Sequence, residues 1–133
     1  MDANDLITNI EAVENGEWID DIPDCGDLRI RTRGAGNADW ARVWQRELAR
    51  APRAERRSTI TAATLERIQN ACLIEAGLLG VENLTEQGQP VSIERAKEMI
   101  IDPRFRLFRA ACLYAANRVG ENAAEDAEAA RKN

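Results

Sequence analysis

Nine arginines fall within residues 28–57, at positions 29, 31, 33, 42, 46, 50, 53, 56 and 57. Only Asp39, Glu47 and Glu55 oppose them there. Guanidinium groups at this density could contact phosphates. Arg42, Arg46 and Arg50 stand four apart, which places them on one face of a helix. Arg29, Arg31 and Arg33 alternate, which places them on one face of a strand. Trp40 and Trp44, one helical turn apart, form an aromatic pair that could anchor a partner's helix. Their other use is packing between a hairpin and a helix. The candidate partner-binding set is therefore Trp40, Trp44, Arg29, Arg31, Arg42 and Arg46.

Other chemistries find less support. The chain has no histidine, which removes His-based triads and most zinc or non-haem iron sites. No Ser or Cys has a histidine base available, and no carboxylate pair stands out for acid–base work. Asp20, Asp21, Asp24 and Asp27 lack the spacing of a calcium loop, and Pro23 interrupts them. Gly34-Ala35-Gly36 follows a strand pattern and precedes a helix, but the third glycine of a dinucleotide fingerprint is absent. The expectation is a protein that is not an enzyme and needs no cofactor or metal.

The chain has 133 residues, enough for one domain with its own core. Its net charge of −5 conceals a strong polarity. Residues 1–27 hold nine acids and no Lys or Arg, next to the arginine block. Such blocks either neutralise each other within the fold or present opposite patches. Cys25, Cys72 and Cys112 form no metal or disulfide pattern, and the last two lie in apolar helical phase. Free thiols fit a reducing compartment. The N-terminus lacks a basic signal-peptide region, and no apolar run approaches the ~20 residues of a membrane span. These features predict a cytoplasmic protein that does not engage a membrane.

The elements that must position these residues follow from periodicity. Leu6, Ile10 and Val13 predict a short amphipathic helix ending at Asn15-Gly16. Residues 17–22 and 27–33 read as a hairpin around Pro23-Asp24-Cys25-Gly26. Its second strand should turn Leu28, Ile30 and Thr32 inward and leave an arginine stripe outside. Asn37 caps a helix bearing Trp40, Val43, Trp44 and Leu48, which Pro52 ends. A basic, exposed link follows at 53–57. A wide apolar pattern over 58–79 predicts a central helix closed by Gly80. A polar loop spans 85–90. Ser92 caps a short helix, and Asp102-Pro103 starts a last one through Phe105, Phe108, Cys112, Ala115 and Val119. The expected fold is mainly α with a small N-terminal β-hairpin (α+β), compact, with four to five helices. Residues 1–120 form the domain, with the hairpin at about 16–33. Residues 121–133 form an Ala/Glu-rich flexible tail.

One ordered set of segments carries more. Gly16-Glu17-Trp18-Ile19 and the Arg-alternating strand lead to Asn37-Ala38-Asp39-Trp40. Leu78-Leu79, Val81-Glu82-Asn83-Leu84 and Gly88-Gln89-Pro90-Val91-Ser92 come next. The run 100–108, Ile-Ile-Asp-Pro-Arg-Phe-Arg-Leu-Phe, closes the set. Over roughly residues 5–120 this resembles the small tail assembly chaperones of long-tailed bacteriophages and of related prophage and gene-transfer elements. Where the family pattern has Trp before its Glu-x-Leu segment, this chain has Val81. The resemblance implies a factor in the host cytoplasm that binds the helical tape measure protein and keeps it soluble. It also implies help in recruiting tail tube protein, and absence from the mature virion.

Two other classes stay open on the residues. One is a structural tail or connector subunit retained in the particle. The other is a small nucleic-acid-binding regulator using the arginine block. A pI near 4.9 and the lack of a recognisable binding motif weigh against the second. The residues leave homo-oligomerisation open.

Overall fold

The computed structural model describes residues 1–121. The tail expected at 121–133 lies outside them apart from Glu121. The fold is mainly helical α+β, with six α-helices and two small antiparallel sheets among the described residues.

The hairpin forms as β1 (Glu17–Ile19) and β2 (Arg29–Thr32), paired antiparallel with Trp18 opposite Arg31. The turn between them holds Asp21, Asp24 and Gly26 at positive φ, conformations that Asp and Gly tolerate better than other residues. A third strand, β3 (Leu78–Glu82), pairs with the other edge of β2 and makes it the central strand. This corrects the helix expected over 58–79. That helix, α4, runs only from Ala62 to Ala76, with Thr61 as its N-cap. Gly77 closes it, and a Cβ there would meet Leu73 O at 3.0 Å and the Trp40 ring at 3.2 Å. Gly80 instead lies within β3 under the Trp18 ring. A short apolar run such as Leu78-Leu79 fits either period, so sequence pattern alone does not arbitrate.

The N-terminal segment also departs from a single amphipathic helix. A 3-10 turn (Ala3–Leu6) is followed by α1 (Ile10–Asn15), separated because Asn9 caps α1 by accepting from Ala12 N–H at 3.1 Å. Val13 packs on the core, whereas Leu6 and Ile10 stay exposed. Helix α2 spans Ala38–Ala49. Pro52 then precedes a four-residue helix, α3 (Arg53–Arg56), within the basic, exposed link over 53–57. The polar loop carries a two-strand ladder, β4 (Thr85–Glu86) with β5 (Gln89–Pro90). Gln87 and Gly88 both take positive φ, as a tight hairpin turn requires. Helix α5 (Ile93–Ile101) and helix α6 (Arg106–Arg118) complete the chain.

Helix α2 packs on α4, while α5 packs on β3 and α6 on β2 and α5. Ile30, Ile68, Leu73, Ile100, Cys72 and Cys112 lie fully inside. Burial pushes the Cys72 thiol up to about 11 and Cys112 up to about 12. Both are packing residues, as their spacing implies. None of the described helices is long and apolar enough to cross a membrane.

Candidate interaction surface

Asn37 fixes where α2 begins. Its Oδ1 accepts from Trp40 N–H at 2.9 Å, and its Nδ2 donates to Gly34 O and to Ala76 O. The strand exit, the start of α2 and the end of α4 are thereby tied together. This phase directs Trp40 and Val43 into the core, where Trp40 is 7% exposed. Trp40 therefore does not present an anchor to a partner, and its role is packing. Trp44, half-buried, sits at the edge of that core.

The arginines expected on the surface are largely engaged within the fold. Arg29 pairs with Asp20 at 2.6 Å and with Glu82 at 2.7 Å, and it lies 5.0 Å from the Trp18 ring centroid. Arg33 is held by Glu14 and Asp39. Hence the arginine stripe on β2 is broken, and of its three members only Arg31 is exposed without an ion pair among the described residues. Arg42 is exposed and pairs with Asp39 at 2.7 Å. The Arg33 guanidinium, before that of Arg42, holds the Asp39 carboxyl below its usual range.

Arg46 belongs to a cluster around Glu47, which is 5% exposed. Glu47 accepts from Arg46 at 2.8 Å, from Arg67 at 2.6 Å and from Arg50 at 3.3 Å. Arg46 also grips Glu75 on α4. Hydrogen bonding from Arg46 lowers the Glu47 carboxyl against the opposing effect of burial, and Arg67 adds to it. Arg42, Arg46 and Arg50 do share a helix flank, but Arg42 and Arg50 pair with acids of α2 itself, and Arg46 links α2 to Glu75 on α4.

Among the described residues, two uncovered apolar surfaces lie at concavities. The first is a groove of about 600 Å³ between the last turns of α2 and residues 55–60, lined by Trp44, Leu48, Ile60 and Arg56 among others. Glu55 also lines it, with its carboxylate occupied by Thr61 N–H. The second surrounds Leu107 on α6, which is 78% exposed. Among the concavities beside it are two of about 360 and 280 Å³, the first lined by Leu84, Val91 and Phe105, the second by Pro23, Cys25 and Tyr114; a third, of about 480 Å³, lies toward Leu65 and Arg109. Neither Leu107 nor Ile60 stands out in the sequence reading. Leu107 has a signal there: it falls out of phase with Phe105, Phe108 and Cys112, so a large apolar residue sits on the helix's polar side.

No group of three or more possible metal ligands gathers among the described residues. Comparison with known proteins finds no family model, no curated protein and no solved structure that matches the chain. The surface chemistry can cover another apolar segment, with hydrogen-bonding and charged groups at its rim.

Proposed function

We propose that this protein is a non-catalytic tail assembly chaperone of a long-tailed phage or related element. In this reading it holds the tape measure protein soluble in the host cytoplasm and hands it to tail tube assembly. The ordered segments from Gly16 to Phe108 are the basis in sequence. The supporting structural observation is the Leu107 ridge, open to solvent between two largely apolar concavities. An amphipathic helix placed there would bury Leu107 and cover both flanks by helix-in-groove contact. Long helical chains with apolar stripes aggregate unless such stripes are covered. The contact surface in this reading is the α6 face, with Trp44 as a second edge, rather than Trp40 and the paired arginines.

Co-expression with the cognate tape measure protein tests the proposal. The expected result is a soluble complex that elutes as one species and weakens at least tenfold with Leu107→Ser. An insoluble tape measure protein with no complex would sink it. Mass spectrometry of purified particles addresses the reading as a retained structural subunit, since a chaperone should be missing from them.

A further inference from the structure

The N-terminal arm, residues 1–11, and the Trp44 groove complement each other in apolar character and in charge. Seven large hydrophobic residues are exposed among the described residues, and three of them fall within five positions of the arm. Leu6 is 67% exposed, Ile7 51% and Ile10 66%. Asp2, Asp5 and Glu11 surround them, and the arm carries no basic side chain. The groove has the opposite rim. Arg56 lines it, and Arg53 and Arg57 are exposed beside it on and just after α3. None of these three makes an ion pair among the described residues, in contrast to Arg29, Arg33, Arg42, Arg46 and Arg50. Its floor is apolar, through Trp44, Leu48 and Ile60.

Within one molecule the two lie at opposite ends of α2. Asn9 N–H donates to Gly120 O, and Glu14 accepts from Ala38 N–H at the first turn of α2. The groove begins at Trp44 and continues past the helix end, about 10–20 Å away at 1.5 Å per residue. We propose that the arm of one copy docks in the Trp44 groove of a second copy. Leu6, Ile7 and Ile10 cover the groove floor, while Asp5 and Glu11 face Arg53, Arg56 and Arg57. The contact joins unlike surfaces, so it either closes as a reciprocal two-fold exchange of arms or propagates head-to-tail into a ring or an open chain. Because its contacts are exposed ion pairs around an apolar centre, it weakens with salt.

Sedimentation velocity on the full chain tests this, at ~50 mM and ~500 mM salt because screening separates the two regimes. The wild type should sediment as concentration-dependent oligomers that shrink at high salt. Asp5→Lys with Glu11→Lys should weaken association at least tenfold, and so should Arg53→Glu, Arg56→Glu and Arg57→Glu together. All these residues are exposed, and circular dichroism checks that each variant keeps its fold. Mixing the two variants should restore association, because each reversed arm then meets a reversed groove. A wild type that stays monomeric at every concentration overturns the proposal, including one whose groove captures an acidic, apolar peptide from another protein. Oligomers indifferent to both sets of reversals overturn it equally.

Discussion

Helices α2 and α6 are of similar length, yet they treat their surfaces in opposite ways. On α2 the charged side chains Asp39, Arg42, Arg46 and Glu47 all make ion pairs, and its two tryptophans lie in or at the edge of the core. On α6, Phe108, Ala111, Cys112 and Ala115 turn inward, while Leu107 stands almost clear of the protein. The helix that carries two tryptophans and the Glu47 cluster is thus spent on the fold, while α6 retains an exposed apolar group. Density of interesting side chains measures what a segment could bind. Availability depends on what its neighbours have already claimed.

Trp40→Ala is the strongest way to break this contrast. Removing a buried indole between α2 and the end of α4 should cost about 3–5 kcal/mol, by loss of transfer energy and by the cavity left behind. Denaturant unfolding measures it. A loss below about 1 kcal/mol would mean that Trp40 is not a core residue. Next in size is Glu47→Ala. It deprives Arg67 and Arg50 of their carboxylate acceptor, while Arg67 keeps the backbone carbonyl of residue 47 and Arg46 keeps Glu75. The expected loss is about 1.5–3 kcal/mol, the range for hydrogen bonds to charged groups. The same substitution should leave binding at the Leu107 face unchanged.

Acid sharpens the comparison further. Both Glu47 and Glu75 are held below the ordinary glutamate value of 4.5, chiefly by hydrogen bonds from Arg46. A carboxyl with a lowered folded value favours the folded state above its unfolded value. That contribution begins to fall once the pH drops below about 4.5, and it is gone below the lowered folded value. Stability measured from pH 7 downward should therefore decline in this window. In Glu47→Ala the decline should be shallower, because one of the two carboxyls has been removed. An unchanged slope would separate the cluster from acid stability. The α6 ridge itself, Leu107 with its apolar flanks, should contribute nothing to the difference.

The caps explain why much of the fold is legible in the chain. Asn37, Ser92 and Asp102 each accept a backbone N–H as their position before an apolar pattern implies. Cys72 and Cys112 follow the core phase of α4 and α6. What is not legible depends on partners distant in sequence. Leu78–Glu82 becomes β3 because the free edge of β2 accepts it, and nothing local distinguishes that run from a helix end. Trp40 and Trp44 look equivalent at helical spacing, but the tie from Asn37 to Ala76 fixes α2 so that only the first is buried. The arginine block reads as a patch because, beyond its own Asp39 and Glu47, its counter-charges lie elsewhere: Asp20, Glu14, Glu75 and Glu82. The open face on α6 is hidden for the reverse reason, since one apolar residue out of phase carries little weight until its exposure is seen.

The smallest expected change in stability is at Leu107, and that is what makes the substitution decisive. Leu107→Ser removes a side chain that is already in water, so no cavity opens and little buried apolar area is lost. Surface substitutions of this kind stay within about 0.5 kcal/mol, and thermal unfolding should coincide with the wild type. A core role for Leu107 would instead lower the midpoint by several degrees, as a loss of about 1 kcal/mol does in a domain of this size. Binding to an apolar helix should move in the other direction, since the group meant to be covered is gone. Lost binding with unchanged stability separates the α6 face from α2, where Trp40→Ala and Glu47→Ala change stability first. If Leu107→Ser unfolds the protein as readily as Glu47→Ala, the two helices are alike and the distinction between them fails.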